Sequence, residues 1–150
     1  MKALKKIILF LFIAFVGIQF IPTTRNESTE ILETDFTQSF EVPQNIQGLL
    51  KTSCYDCHSN NTSYPWYNKF QPVSWMLQNH VNNGKKELNF SEFGAYSNRK
   101  QKSKFKSIIS QIKDDEMPLF SYTLIHGDAK LSESDKKLIT NFITKLRDSL

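Results

Sequence analysis

Apolar residues along this chain occur as one nearly unbroken block followed by four stretches with helical spacing. The block runs from Ile7 to Ile21, is interrupted only by Gly17 and Gln19, follows Lys2, Lys5 and Lys6, and is closed by Pro22. Its length lies between the apolar core of a secretory signal and a full membrane span. Ile21-Pro22-Thr23-Thr24 offers no small-residue cleavage site, and no cysteine is available there for a lipid. The pattern therefore predicts an N-terminal membrane helix over residues 1–22, an uncleaved signal anchor with Lys5 and Lys6 at the cytoplasmic surface. Residues 23–150 would then lie outside the cytoplasmic membrane, in the periplasm.

Residues 23–41 are polar, with scattered Ile31, Phe36 and Phe40, and read as a linker or an arm laid on the domain by those aromatics. The domain proper, 42–150, is predicted to be all-α. Pro43 opens a first helix reaching about Ser53, with Ile46, Leu49 and Leu50 on one face and Gly48 as a site of close helix contact. Pro72 opens a second, whose Val73, Met76, Leu77, His80 and Val81 keep the spacing of a buried face and which ends at Asn82-Asn83-Gly84. Residues 85–97 have no clear period. A third helix, Asn98 to Lys113, buries Phe105, Ile108, Ile109 and Ile112. A fourth begins at a capping-box variant, Ser132 with Asp135, and carries Leu138, Ile139, Phe142, Ile143 and Leu146 as the strongest apolar stripe.

Charge changes the picture little. The formal net charge is +4, but without Lys2, Lys5 and Lys6 the chain carries sixteen basic against fifteen acidic residues, so nucleic acid is not an expected partner. Arg99, Lys100, Lys102, Lys104 and Lys106 form a basic cluster that reads as the solvated face of the third helix. Twelve phenylalanines, five tyrosines and two tryptophans suit either a small core or the walls of a flat apolar cofactor.

Cysteine changes it a great deal. The two cysteines of the chain are Cys54 and Cys57, followed directly by His58, and C-x-x-C-H is the attachment signature of a c-type haem. Two thiols one helical turn apart can add to the two vinyl groups of one porphyrin edge, and the next imidazole then reaches the iron from below. Three other chemistries use the same letters. A thioredoxin-type redox pair needs a strand before it, where this chain has a helical pattern. A zinc site needs four ligands, and beyond this motif only His80, His126 and carboxylates remain. A Cys54–Cys57 disulfide closes too short a loop to stabilise much.

Further residues are candidates for the same site. Met117-Pro118 follows the third helix, and a thioether there would be a soft sixth ligand that raises the potential. Met76 sits among core positions of its helix, and His80 is the weaker alternative as distal ligand. Trp66 and Tyr67, in Tyr64-Pro65-Trp66-Tyr67, are candidate pocket walls, with the Trp66 N–H available to a propionate. His126, beside Gly127 and Asp128, reads as exposed, and the fourth helix is expected to cross the first beside the haem edge.

With these residues placed, the chain resembles the bacterial haem-binding domain family, a cytochrome c-like group. The resemblance covers about residues 10–148 and rests on Gln19-Phe20-Ile21-Pro22, Cys54-Tyr55-Asp56-Cys57-His58-Ser59-Asn60, Tyr64-Pro65-Trp66-Tyr67, the helix from Pro72 to Gly84, Leu88-Asn89-Phe90-Ser91, Glu116-Met117-Pro118, and Tyr122 to Leu131. It implies a single covalent haem c in an all-helical, cytochrome c-like domain, with the distal ligand carried to Met117 by motif. The function expected is that of a membrane-anchored periplasmic monohaem c-type cytochrome, passing single electrons between partner proteins and not acting as an enzyme. The alternatives are a haem sensor or catalytic haem domain with an open distal site and, from another class, a zinc-binding interaction module.

Overall fold

Two long amphipathic helices form the spine onto which everything else is laid. The computed structural model describes residues 2–150, and all regular structure among them is helical. The helices are α1 (Lys2–Ile18), α2 (Phe36–Ser39), α3 (Gln44–Leu50), α4 (Asp56–His58), α5 (Val73–Glu87), α6 (Asn98–Lys113), α7 (Phe120–Thr123) and α8 (Glu133–Ser149). Short 3₁₀ turns at Trp66–Lys69, Phe90–Ala95 and Gly127–Ala129 join some of them.

Each spine helix begins where a side chain satisfies its orphan amides. Ser97 accepts from the Lys100 N–H at the start of α6. At α8, Ser132 accepts from the Asp135 N–H at 3.2 Å while the Asp135 carboxylate accepts from the Ser132 N–H at 3.0 Å, a complete capping box. The apolar stripes then meet: α6 buries Phe105, Ile108, Ile109 and Ile112 along α8, which buries Ile139 and Ile143. Ile46 and Leu50 of α3 close this layer. α8 does touch α3, but its main partner is α6.

Residues 23–41 belong to this packing. Phe36 is fully buried, edge-on to Phe90 and Phe93 with ring centroids 5.4 and 5.2 Å apart, whereas Ile31 is exposed. Asp35 caps α2 by accepting from the Thr37 N–H at 2.9 Å.

The membrane helix expected over residues 1–22, and with it the membrane-anchored localisation, is not supported. No helix among the described residues is long and apolar enough to cross a membrane. α1 has 17 residues, about 26 Å at the usual rise, against a hydrocarbon layer of about 30 Å. Lys2, Lys5 and Lys6 take up its first turns. The helix stops at Ile18 because Gln19 turns the chain onto the domain: its amide donates to the Gln71 carbonyl at 3.1 Å and accepts from the Gln71 N–H at 2.9 Å.

Two helix readings are corrected as well. α5 does not end at Gly84 but continues to Glu87, and it buries Ser74 and Val81 while Val73, Met76 and His80 are exposed, Met76 by 60%. Neither Met76 nor His80 is therefore a core residue. Gly48 marks no close contact, since nothing lies within 4 Å of a Cβ built there.

Candidate functional site

The helix begun by α3 runs straight through Cys54-Tyr55-Asp56-Cys57-His58. Lys51–Tyr55 form one widened π turn before α4, a local irregularity that recurs at functional sites. Tyr55 points into the core: its ring lies flat on Phe90, with centroids 5.1 Å apart and planes 6° apart, and its hydroxyl donates to Asp35 at 3.1 Å. Tyr55 thereby fixes the rotation of the motif about its own axis. Cys54, Cys57 and His58 then line one cavity of about 220 Å³, with Gly84, Met117 and Tyr122 on its other walls. An adjoining cavity of about 340 Å³ shares Cys54, His58, Glu87 and Met117 with the first and adds Lys104 and Ile108 from α6.

Gly84 is what lets α5 reach the motif. A Cβ at this position would stand 2.6 Å from the Cys57 carbonyl oxygen, so the two backbones approach only because the side chain is absent. That approach brings the Gly84 and Leu88 carbonyl oxygens to 2.9 and 3.1 Å from His58 Nδ1. Both partners are acceptors, so Nδ1 carries the hydrogen and donates, leaving the lone pair on Nε2. Burial also pushes the His58 imidazole below its ordinary pKa, against the opposing pull of those two carbonyls. The ring is thus a neutral base with a fixed tautomer, the arrangement that second-shell bonds produce around a metal-ligating histidine.

The thiols tell a matching story. Cys54 and Cys57 are free, and burial pushes them up to about 12 and about 11 respectively. A redox-active C-x-x-C pair depends on a depressed thiol pKa, and burial acts on these two thiols in the opposite direction. The zinc alternative fares no better: among the described residues, no cluster of three or more His, Cys, Asp or Glu side chains stands ready to hold an ion.

Met117 reaches the cavity through the end of α6. Asp115 takes a left-handed conformation with φ 58°, which reverses the chain. The Glu116 and Met117 amides then both donate to the Gln111 carbonyl, at 2.9 and 3.1 Å. Met117 borders both cavities, half-buried.

His80 is exposed at the lip of the first cavity. Trp66 is not a pocket wall: it is 73% exposed and lines neither cavity. Tyr67 lines neither as well, because its hydroxyl is engaged by His126 Nε2 at 2.7 Å. His126, expected to be exposed, is half-buried and stacks on Tyr122 with ring centroids 4.4 Å apart.

Several residues around the site were not among its candidates in the sequence. Lys104 read as one of a solvated basic run, yet among the described residues it is the one lysine or arginine lining either cavity, with its side chain 22% exposed. Tyr122 lay in an aperiodic loop, but its hydroxyl donates to the Asp56 carboxylate at 2.7 Å. Burial, and then that carboxylate, hold the Tyr122 phenol well above its ordinary pKa. Asn26, in the polar arm, donates to the Ser59 carbonyl at 2.8 Å and to Thr62 at 2.9 Å, clamping the turn after the motif.

A helical domain that gathers two thiols, a pre-oriented imidazole and a thioether around an apolar cavity is built for a flat metal-bearing cofactor. The model of the family described as "Haem-binding domain" matches residues 13–145, and the chain belongs to that family. Among curated proteins and solved structures, nothing matches. The donor set fits haem on the structure's own terms: soft sulfur and neutral nitrogen suit iron, and the free Nε2 faces no competing partner among the hydrogen bonds of His58.

Proposed function

We propose that the chain is a monohaem c-type electron-transfer protein, with the haem held covalently. The observation that carries this is the pairing of Cys54 and Cys57, one turn apart on one cavity wall, with a neutral His58 whose Nε2 is left free. When bound, the group supplies a one-electron couple between ferric and ferrous iron.

The chain's own residues do the rest. Cys54 and Cys57 would be the thioether anchors: as free thiols rather than a disulfide, each would add its sulfur to one vinyl carbon and its hydrogen to the other, without an oxidant. His58 would hold the iron through Nε2, with its ring kept in place by the Gly84 and Leu88 carbonyls. Met117, which borders both cavities, would offer the iron a sulfur donor that favours the ferrous state. Lys104 could supply a counter-charge for the carboxylates of the macrocycle, its own ion partner Glu87 being 3.8 Å away and largely solvated. Ile108, Ile112 and Phe90 give the adjoining cavity apolar walls. On this reading the chain passes electrons and makes no bonds in a substrate, and its partners are other redox proteins.

Protein produced with a c-type maturation system should retain haem after denaturation and show a c-type α band when reduced. Replacing both cysteines by alanine should abolish that retention. Haem that washes out of the parent protein on denaturation sinks the covalent reading. Met117→Ala should keep the α band, lose the sulfur-to-iron charge-transfer band of the ferric protein and lower the potential. A parent protein that lacks that band and binds carbon monoxide rapidly would be one with an open distal site.

A further inference from the structure

The Met117 loop is held at both ends, at one by α6 and at the other by a residue of the attachment motif. On the near side, the Glu116 and Met117 amides hang from the Gln111 carbonyl. On the far side, five residues on, the Tyr122 hydroxyl donates to Asp56 Oδ2 at 2.7 Å. Asp56 lies between the two cysteines, so this bond crosses from the loop to the attachment motif itself. Its other oxygen is already engaged, since Oδ1 accepts from the Ser63 N–H at 3.1 Å, and the carboxylate cannot swing away freely. The ring of Tyr122 is fixed too, stacked on His126, which Tyr67 holds at 2.7 Å.

We propose that Tyr122 and Asp56 are a positioning pair that holds the Met117 loop across the cavity and decides how firmly the Met117 thioether is presented to the iron. The inference rests on Met117 being the distal ligand. Between Pro118 and the start of α7 at Phe120, Leu119 is the only intervening residue, so a displacement of Tyr122 is passed to Met117 through a short, stiff segment. The Leu119 carbonyl stiffens it further by accepting from the Tyr122 and Thr123 amides at 2.9 and 3.0 Å. The hydrogen bond to a carboxylate is of the stronger, charge-assisted kind. With it intact, the Met117 thioether would be kept close to the iron; without it, the loop would be tethered only at its Gln111 end.

The test compares the haem-loaded parent with Tyr122→Phe, Asp56→Ala and Asp56→Asn, reading covalent haem, the ferric sulfur band and the rate of carbon monoxide binding to the ferrous form. Tyr122→Phe keeps the ring and its stacking but removes the donor. It should keep the haem, weaken the sulfur band and speed carbon monoxide binding by about tenfold or more, the scale of one charge-assisted bond. Asp56→Ala should do the same, while Asp56→Asn, which keeps one acceptor oxygen but loses the charge, should fall between Asp56→Ala and the parent. A parent sulfur band with Tyr122→Phe indistinguishable from it overturns the positioning pair and leaves Met117 ligation standing. Equal loss in Asp56→Asn and Asp56→Ala also overturns it, because the bond would then not be the cause. A parent with no sulfur band removes Met117 ligation first, and the positioning role with it.

Discussion

His58 shows how much of the site is decided by two backbone carbonyls. Without the Gly84 and Leu88 oxygens, either ring nitrogen could hold the hydrogen; with them, Nε2 is the free one. The same burial that suits the cofactor makes stability depend on pH in a predictable way. The His58 pKa is lowered on folding from 6.5, so below about that pH the unfolded chain binds the proton more readily and stability falls as pH falls. Cys54 and Cys57 are raised from 9.0, so above that pH the unfolded chain loses protons that the folded chain keeps, and stability falls as pH rises. The melting temperature of the haem-free chain should therefore peak between these values. Thioethers do not titrate, so covalent loading should shift the onset of the alkaline limb upward, towards the range where Tyr55 and Tyr122 begin to ionise in the unfolded chain. An alkaline limb unchanged by loading would mean the cysteines are not its source.

At the scale of elements, the decisive contact is α5 against α4. Spacing in the sequence predicted α5 but misjudged its faces, because a 3.6-residue period records apolar positions without recording which neighbour covers them. Val73, Met76 and His80 keep the period and are exposed, while Ser74 is buried. Gly84 looked like a helix stop since glycine commonly ends helices, yet its role is to admit the Cys57 backbone. Gly84→Ala should destabilise the protein by about 1–3 kcal/mol through overcrowding and, by pushing α5 away, should cost covalent haem yield. Chemical denaturation and a haem stain measure the two effects separately. Stability and haem content equal to the parent's would show that the helices can part without harm.

For the whole molecule, the polar arm is the part whose importance composition concealed. Its aromatic Phe36 fills the centre of the core, Asp35 holds Tyr55, and Asn26 clamps the turn after His58. Phe36→Ala should cost about 3–5 kcal/mol in urea unfolding, as for other fully buried aromatics, and a cost below about 1 kcal/mol would remove the arm from the folded unit. α1, in contrast, buries no residue.

The sequence by itself determined the local features. The spans of α6 and α8, the Ser132–Asp135 cap and the placement of two thiols one turn apart all depend on residues within a few positions of each other, where period, propensity and side-chain chemistry act directly. Only the tertiary structure decided which face of α5 is covered, that Gly84 meets Cys57, that Lys104 borders the cavity, that Trp66 does not, and that Tyr122 reaches Asp56 from 66 residues away. Such pairs are set by the closing of the whole chain, when every helix must bury its stripe at once, and no window along the sequence contains both partners.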